Sequence, residues 1–333
     1  MKHLYSLRLL TLSILFFCIE NLVSADGVFK IIEGMRDPSL KARIESNVNL
    51  LLSALNAAQQ KHAKSIKLSR DIISKDALDN VEEIWNTSAM SCPSSSLACR
   101  CLKTSTGWQV RGIPVDFEEA DPSEKRQEIS IDFSPDGVIS NVSVAMEMHR
   151  YESIMSSDNC QDDLDYSRRQ IIVNFVENFR TAYNRKDLKL LRSVFGDKAL
   201  IITGKVVSEK PNTDISKIRL NNDRVIYTKQ TKAEYLANLE RVFKNTKYIN
   251  VAFNDIDVTQ HPKYDDIYGV TLKQYWHTNR YSDEGYLFLL IDFRDKDHPL
   301  IQVRTWQPYK DKSGKVVTQE DQVFHLGSFR ITR

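Results

Sequence analysis

Residues 267–308 constrain the fold of this chain more strongly than any other part of the sequence. They contain three runs rich in β-branched and aromatic residues, separated by two polar turns, which predicts three consecutive β-strands. One face of the first run is apolar except for Gln274. Its other face is more polar, which predicts contact with solvent or a partner: Thr271, Lys273, Tyr275 and His277. The second run, 287–293, is apolar on both faces, so we expect both faces to be covered.

The length and composition indicate a globular protein of two domains. The chain has 333 residues, of which 41% are hydrophobic and 27% are charged. This length is sufficient for two domains of ordinary size. The net charge of +2 gives no reason to propose nucleic acid or an anionic membrane as a partner.

Residues 1–25 have the pattern of an export signal. Lys2, His3 and Arg8 form a basic start, an apolar run follows over 9–19, and Val23-Ser24-Ala25 is a small-residue cleavage site. An alternative is a lipoprotein signal ending at Cys18. No later stretch is long and apolar enough to predict a membrane span in the mature chain.

Export changes the meaning of the cysteines. Four remain after the signal, and an even number in an oxidising compartment predicts disulfides. A loop closed by the first two would leave the third free to reach the fourth: Cys92, Cys99, Cys101 and Cys160. The alternative of a zinc site has less support, because the cluster lacks C-x-x-C spacing and a nearby His.

The predicted first domain, residues 26–155, consists of two helices and an antiparallel meander. Asp37 and Pro38 predict the N-cap and first turn of the first helix. The second helix ends near Trp85, and strands follow at 108–117, 127–133 and 138–148 with a turn at 134–137. The polar, acidic residues 156–166 predict a linker.

The predicted second domain, residues 167–333, begins with a helix over 167–184 that has a wide apolar face. A short helix, a strand at 199–203 and a polar excursion over 205–222 follow. Thr231 and Glu234 form a capping-box pattern at the start of a third helix. The strand 249–258 changes its apolar side, which predicts a bulge near Asn254 and Asp255. A last strand at 323–331 is expected to close the sheet.

Residues 175–202 and 267–308 resemble the nuclear-transport-factor-2-like superfamily, whose fold is an α+β cone. The resemblance implies a strongly bent antiparallel sheet wrapped around the long helix, with a cavity at its open end. Residues 165–333 look similar to exported proteins of this superfamily from Gram-negative anaerobes, most of which have no assigned activity. We expect the mature protein in the periplasm or cell envelope. Residues 30–155 resemble the superfamily only weakly, as a diverged and shortened copy. Because the superfamily includes isomerases, dehydratases, binding domains and dimerisation modules, its fold assigns no function.

The polar residues of the strand run predict a binding site inside this cone. The candidate ligand-binding residues are Gln274, Trp276, Asp292, Arg304 and Trp306. Arg304 would bind an anion, the indoles would stack on a flat or sugar-like ligand, and Asp292 is the one candidate for a catalytic proton acceptor. In the alternative interpretation, Asp292 and Arg304 form a buried pair that fixes strand order, and the tryptophans belong to the core. The carboxylates of the turn 281–285 are interpreted as solvated.

The sequence contains no motif for nucleophilic, nucleotide or metal chemistry, so no cofactor and no metal are predicted. We interpret the chain as an exported, non-enzymatic protein that binds a small molecule or a protein partner through the cone or the outer sheet face. One alternative is an isomerase, dehydratase or hydrolase acting in the same cavity. Another is an envelope scaffold that forms a homodimer through the sheet face bearing Lys273, Tyr275 and His277.

Overall fold

The computed structural model describes residues 29–104, 106–156, 160, 162–208, 223–296 and 298–331. The predicted signal, part of the predicted linker and most of the polar excursion lie outside the described residues. The first half of the chain contains β1 (Phe29–Glu33), α1 (Pro38–Gln60), α2 (Lys75–Thr87), β2 (Met90–Ser91), β3 (Leu97–Lys103), β4 (Trp108–Phe117), β5 (Arg126–Phe133), β6 (Ile139–Ala145) and α3 (Met148–Ile154). The second half contains α4 (Asp163–Asn184), α5 (Leu188–Val194), β7 (Phe195–Ser208), β8 (Asp223–Gln230), α6 (Lys232–Asn245), β9 (Ile249–His261), β10 (Tyr264–Thr278), β11 (Ser282–Asp292) and β12 (Leu300–Pro308).

The first sheet has the order β1-β3-β4-β5-β6, with β2 paired to β4. Asp37 caps α1 through the backbone N–H groups of Ser39 and Leu40, as the sequence predicts. The sheet is mixed, because β1 runs parallel to β3, whereas the sequence predicts a purely antiparallel meander. The sequence prediction also missed β1, β3 and α3. The helices α1 and α2 bury their apolar faces on this sheet in a core of their own.

The second sheet has the order β8-β7-β12-β11-β10-β9. It too is mixed, since β7 pairs with β12 in parallel and every other described pair is antiparallel. The expectation of an antiparallel cone is therefore wrong at one strand pair. The α+β class is confirmed, and α4, α5 and α6 pack on one face of the sheet around a second core.

Two local features that the sequence predicts for the second half of the chain, a capping box and a β-bulge, are present. Thr231 and Glu234 form the capping box at the start of α6. On β9, the two residues Asp255 and Ile256 face the single residue Leu272 of β10 between the pairs Asp257–Thr271 and Asn254–Lys273, and Asp255 has a φ of 49°. This is the predicted bulge, and an extra residue of this kind bends a strand locally.

The predicted last strand is wrong. Residues 323–331 contain the 3-10 turn Leu326–Ser328 and, in the part of the chain that the structure describes, no strand. Instead they cover the outer face of the second sheet: Leu326, Phe324 and Phe329 pack on Phe288 and Leu290. The alternating apolar residues of this segment reflect packing across a sheet rather than pairing at its edge. This cover also explains why the run 287–293 is apolar on both faces.

Buried hydrogen bonds join the two halves of the chain. Arg111 on β4 forms an ion pair with Glu177 on α4, and both side chains are almost fully buried. Arg180 donates to the carbonyls of Val251 (2.8 Å) and Ala145 (2.9 Å). These buried groups would lose their hydrogen-bond partners if the two halves of the chain separated. The contacts therefore favour one fixed arrangement of the two halves.

The predicted disulfides do not form in this structure, where all four cysteines are free. Cys92, Cys99 and Cys101 lie in the core of the first sheet, and burial raises the pKa of the Cys99 and Cys101 thiols to about 11. The Sγ atom of Cys160 lies 3.9 Å from the carbonyl of Ile154, next to the start of α4. Since Cys101 points into the first core and Cys160 lies beside the second, the pairing of these two is wrong.

No group of three His, Cys, Asp or Glu side chains that could hold a metal ion occurs among the described residues. Within the same residues, none of the helices is both long enough and apolar enough to cross a membrane.

Candidate ligand-binding cavity

Four of the five predicted ligand-binding residues line one cavity between the second sheet and α6. The cavity has a volume of about 320 Å³ and is lined by Thr203, Gln230, Tyr235, Asn238, Leu239, Val242, Gln274, Trp276, Tyr281, Asp283, Arg304 and Trp306. The sheet supplies most of its polar and aromatic residues, and α6 supplies Tyr235, Asn238 and the aliphatic wall of Leu239 and Val242. The structure thus places Gln274, Trp276, Arg304 and Trp306 together and leaves Asp292 outside.

Strand register sets the depth of each side chain in the cavity. Arg304 is paired with Leu289 and Trp306 with Leu287. Gln274 is paired with Gly285 and Trp276 with Asp283. Since Leu287 and Leu289 belong to the core beneath α4, the side chains on that same face of β11 and β12 point inward. Arg304 therefore lies at the floor, Trp306 and Gln274 lie in the middle, and Trp276 and Asp283 lie at the mouth.

The floor of the cavity is an aromatic cluster around Arg304. The guanidinium lies 5.0 Å from the centre of the Tyr235 ring, and it also interacts with the hydroxyl of Tyr183. The hydroxyls of Tyr183 and Tyr235 are 2.7 Å apart. Burial raises the pKa of Tyr183 well above its usual value, so this phenol stays neutral. Arg304 is thus held in position by aromatic neighbours rather than by a carboxylate.

Several polar atoms of the cavity have no hydrogen-bond partner among the described residues. They are Nε and Nη1 of Arg304, Nε1 of Trp306, Oε1 of Gln274 and Oδ1 of Asp283. Arg304 is 5% exposed and Gln274 is 4% exposed. Buried polar atoms are ordinarily paired, and each unpaired one costs about 1–3 kcal/mol. Five such atoms around one cavity make it the place where a polar ligand would stabilise the protein most.

Asp283 is the carboxylate of the cavity. Its Oδ2 accepts a hydrogen bond from the hydroxyl of Tyr281 at 2.7 Å. Burial raises its pKa to about 6, against the smaller opposing effects of Tyr281 and Arg304. A carboxyl group with this pKa changes its charge close to neutral pH.

Asp292 is not part of the cavity, and the predicted pair with Arg304 is wrong. The side chain of Asp292 accepts from the backbone N–H (2.9 Å) and Nε (2.6 Å) of Arg294. Asp292 is three residues from Leu289 on β11, so it points to the opposite face, where Leu290 and Val303 lie. Asp292 therefore cannot act as a proton acceptor in the cavity, and it does not fix strand order through a pair with Arg304.

Gly285 makes room for one indole of the cavity. A Cβ atom at this position would lie 2.4 Å from the carbonyl oxygen of Gln307 and 2.8 Å from two ring atoms of Trp306. Glycine therefore allows the indole to lie flat across β11, where its Nε1 borders the cavity.

The mouth of the cavity opens on a larger cleft between the two halves of the chain. This cleft has a volume of about 580 Å³ and shares Trp276, Tyr281, Asp283 and Trp306 with the cavity. Its opposite wall is the turn Pro122–Glu124 of the first half, which is tied to β9 by the Asn254–Glu124 hydrogen bonds of 3.1 and 3.2 Å. A ligand would therefore reach the cavity along a cleft that the first half of the chain helps to form.

Sequence reasoning missed Asp283 and Tyr235 as cavity residues and Tyr183 as a partner of Arg304. It assigned Asp283 to a solvated turn, yet β11 begins at Ser282, and Asp283, Gly285 and Leu287 share the inward face. The strand alternation of inward-facing and outward-facing residues, continued backward from Leu287, would have predicted that Asp283 faces inward. No local signal identifies Tyr183 or Tyr235, because each occupies an ordinary apolar position of its helix.

No protein-family model matches the chain, and no curated protein matches it. The solved structures include similar folds at low identity. A putative dehydratase of the NTF2-like family from Streptomyces avermitilis is 16% identical, with a TM-score of 0.31, over 44% of this chain and 97% of that one. A putative scytalone dehydratase from Novosphingobium aromaticivorans is 10% identical, with a TM-score of 0.33, over 47% and 97%. Bd1075 from Bdellovibrio bacteriovorus is 14% identical, with a TM-score of 0.33, and the match spans 52% of this chain and 57% of that one.

Each of these matches spans about half of this chain. Their level of identity concerns fold alone and says nothing of a ligand. In the second half of the chain, α4 packs on one face of the six-stranded sheet, and the cavity lies between that sheet and α6. A long helix packed on a sheet, with a cavity beside it, agrees with what the resemblance of residues 175–202 and 267–308 implies.

Proposed function

We propose that this protein is an exported, non-enzymatic binding protein that holds a small molecule in the cavity between the second sheet and α6. The observation that carries this proposal is the convergence of five unpaired polar atoms from four side chains on one cavity. A cavity that served only packing would be lined by apolar groups, since unpaired buried polar atoms destabilise the fold.

The shape and lining of the cavity support a small ligand. Its volume of about 320 Å³ is at the lower end of the range for ligand pockets. Trp276 and Trp306 offer large apolar surfaces, and Arg304 and Gln274 offer buried polar groups to fix orientation. A few polar groups in a mainly apolar pocket are typical of sites for small molecules.

Export rests on the basic start, the apolar run and the Val23-Ser24-Ala25 site of residues 1–25. We place the mature protein in the periplasm or cell envelope. Intact-mass measurement of the protein from its native source tests this, because cleavage after Ala25 gives a chain that begins at Asp26. An uncleaved chain would contradict export by this signal.

The binding proposal is tested on protein purified from its native source. We expect mass spectrometry to find a small molecule released on denaturation of the wild type, and not of a variant carrying Trp306→Ala and Arg304→Met. The matched control is Arg294→Met. This change removes the ion-pair partner of Asp292 on the outer face and leaves the cavity intact. If no compound is released, and no member of a metabolite library shifts the melting temperature of wild type relative to the double variant, the proposal is wrong.

One observation favours an enzyme in the same cavity as a second candidate. Asp283 lies at the mouth, and burial raises its pKa to about 6, a value suited to a general base near neutral pH. If the bound compound is converted to a product and Asp283→Asn abolishes conversion without weakening binding, the protein is an enzyme and the non-enzymatic proposal is wrong. Unchanged recovery of the compound would support the non-enzymatic function.

A further inference from the structure

We infer that the occupant of the cavity is a small, flat organic acid, with its carboxylate on Arg304 at the floor and a hydroxyl or amine hydrogen-bonded to Asp283 at the mouth. This inference rests on the proposed function and adds the chemical class and orientation of the ligand.

The floor and the middle of the cavity present donors. Nε and Nη1 of Arg304 and Nε1 of Trp306 have no acceptor among the described residues, and Arg304 is 5% exposed. No carboxylate in the described part of the chain forms an ion pair with Arg304. A buried guanidinium without a carboxylate partner attracts an anion, because charge-assisted hydrogen bonds are about twice as strong as neutral ones.

The middle and mouth present acceptors. Oε1 of Gln274 and Oδ1 of Asp283 lack a donor among the described residues. The other carboxylate oxygen of Asp283 is occupied by the hydroxyl of Tyr281. The polar groups therefore form an ordered pattern, in which a ligand with an acceptor at its inner end and a donor at its outer end pairs the groups of Arg304 and Asp283.

The section between the two ends suits a flat body. Trp306 and Trp276 lie on strands at either side of β11, at the levels of Leu287 and Asp283. Gly285 on the intervening strand carries no side chain, so the indole of Trp306 lies across that strand and forms a flat wall of the cavity. Aromatic side chains arranged in this way bind planar groups through stacking and edge contacts.

The charges of the cavity exclude other ligand classes. Arg304 and Asp283 are the only ionisable side chains of opposite charge among its lining residues, and the ring of Tyr235 already contacts the guanidinium. An organic cation would place its charge near Arg304, and a neutral sugar would leave the guanidinium without a counter-charge. An organic acid alone neutralises the floor.

The test is calorimetric titration of the full mature chain with four matched probes at pH 7: 4-hydroxybenzoate, 4-hydroxybenzamide, benzoate and phenol. The first carries both groups, the second lacks the charge, the third lacks the donor and the fourth lacks the acid. We expect 4-hydroxybenzoate to bind most tightly. We expect Arg304→Met to weaken it about tenfold or more, and Asp283→Leu to reduce it to the affinity of benzoate. Arg294→Met, the same change at an arginine of the outer face, and Asp292→Asn, which neutralises a carboxylate of that face, serve as controls and should leave affinity unchanged.

Two results would overturn the inference. If the amide or phenol binds as tightly as the acid and Arg304→Met has no effect while Trp306→Ala weakens binding, the cavity binds small molecules of another class and the proposed function stands. If none of the probes binds at millimolar concentration, the ligand class is wrong. The proposed function then falls only if the compound-release experiment also finds nothing.

Discussion

Replacement of Arg304 by Met should stabilise the ligand-free protein, although Arg304 is a buried charged residue. Its Nε and Nη1 atoms lack partners, and each costs about 1–3 kcal/mol when buried. The substitution loses the interaction with Tyr183, about 1 kcal/mol, and the contact with the Tyr235 ring at 5.0 Å, about 1–2 kcal/mol. The net of these values lies between about −1 and +4 kcal/mol, so we expect the free energy of unfolding to stay about the same or to increase.

The matched control is the same substitution at Arg111. This arginine is equally buried but forms an ion pair with Glu177, donating from Nη1 at 3.0 Å, and it also donates to Gln109. Arg111→Met leaves the Glu177 carboxylate buried without its partner, which costs about 3–5 kcal/mol. The same change at two buried arginines is thus expected to have opposite signs.

Urea unfolding followed by tryptophan fluorescence, with the ligand removed by dialysis under denaturing conditions and refolding, measures both effects. If Arg304→Met lowers the free energy of unfolding by as much as Arg111→Met does, Arg304 has a structural role. The argument that its free nitrogens await a ligand would then be refuted.

Three further predictions concern the cavity and the cysteines. Since burial raises the pKa of Asp283 to about 6 from 3.8, the folded state binds a proton more tightly than the unfolded state, so this group lowers stability as pH rises from about 4 to 6. Asp283→Asn should therefore stabilise the protein above pH 6 by up to about 3 kcal/mol and have little effect at pH 4, measured by urea unfolding at both pH values; an equal effect at both would contradict the raised pKa. Gly285→Ala should displace Trp306 and lower the melting temperature by several degrees, more than Gly314→Ala, where a Cβ meets nothing within 4 Å and only the φ of +85° costs energy; an equal loss in the two variants would contradict the close contact. Alkylation of the denatured, unreduced chain lacking residues 1–25 should label all four cysteines, because all four are free; two labels or none would indicate disulfides.

Residues of the first half of the chain help to form the cleft that leads to the cavity. The turn Pro122–Glu124 forms one wall of the cleft, and buried pairs such as Arg111–Glu177 fix it relative to the cone. A ligand larger than the cavity would therefore contact both halves of the chain. This arrangement depends on side chains far apart in sequence, and neither half by itself predicts it.

Most of the secondary structure of the second domain followed from local patterns. The capping box at Thr231, the bulge at Asp255 and the inward face of β10 are encoded within a few residues of each feature. The segment 323–331 was assigned wrongly, because apolar alternation is the same for a strand and for a chain that packs across a sheet. The strand β3 was missed because its cysteines were interpreted as a loop.

The composition of the candidate site was partly available from the sequence, and its assembly was not. Polar residues among apolar neighbours identified Gln274, Trp276, Arg304 and Trp306 as members of a pocket. Cross-strand register decided that Arg304 faces inward at the level of Leu289 and that Asp292 faces outward to Arg294. Register also brought Asp283 opposite Trp276. Because a shift of one residue moves every side chain of a strand to the other face, only the tertiary structure could choose between two carboxylates nine residues apart on one strand. The sequence by itself determined which residue types the cavity contains, through local alternation. The packing of α4 and α6 on the second sheet decided which of these residues line the same cavity. Residues on different strands and helices come together only through this packing, and no local sequence pattern relates them.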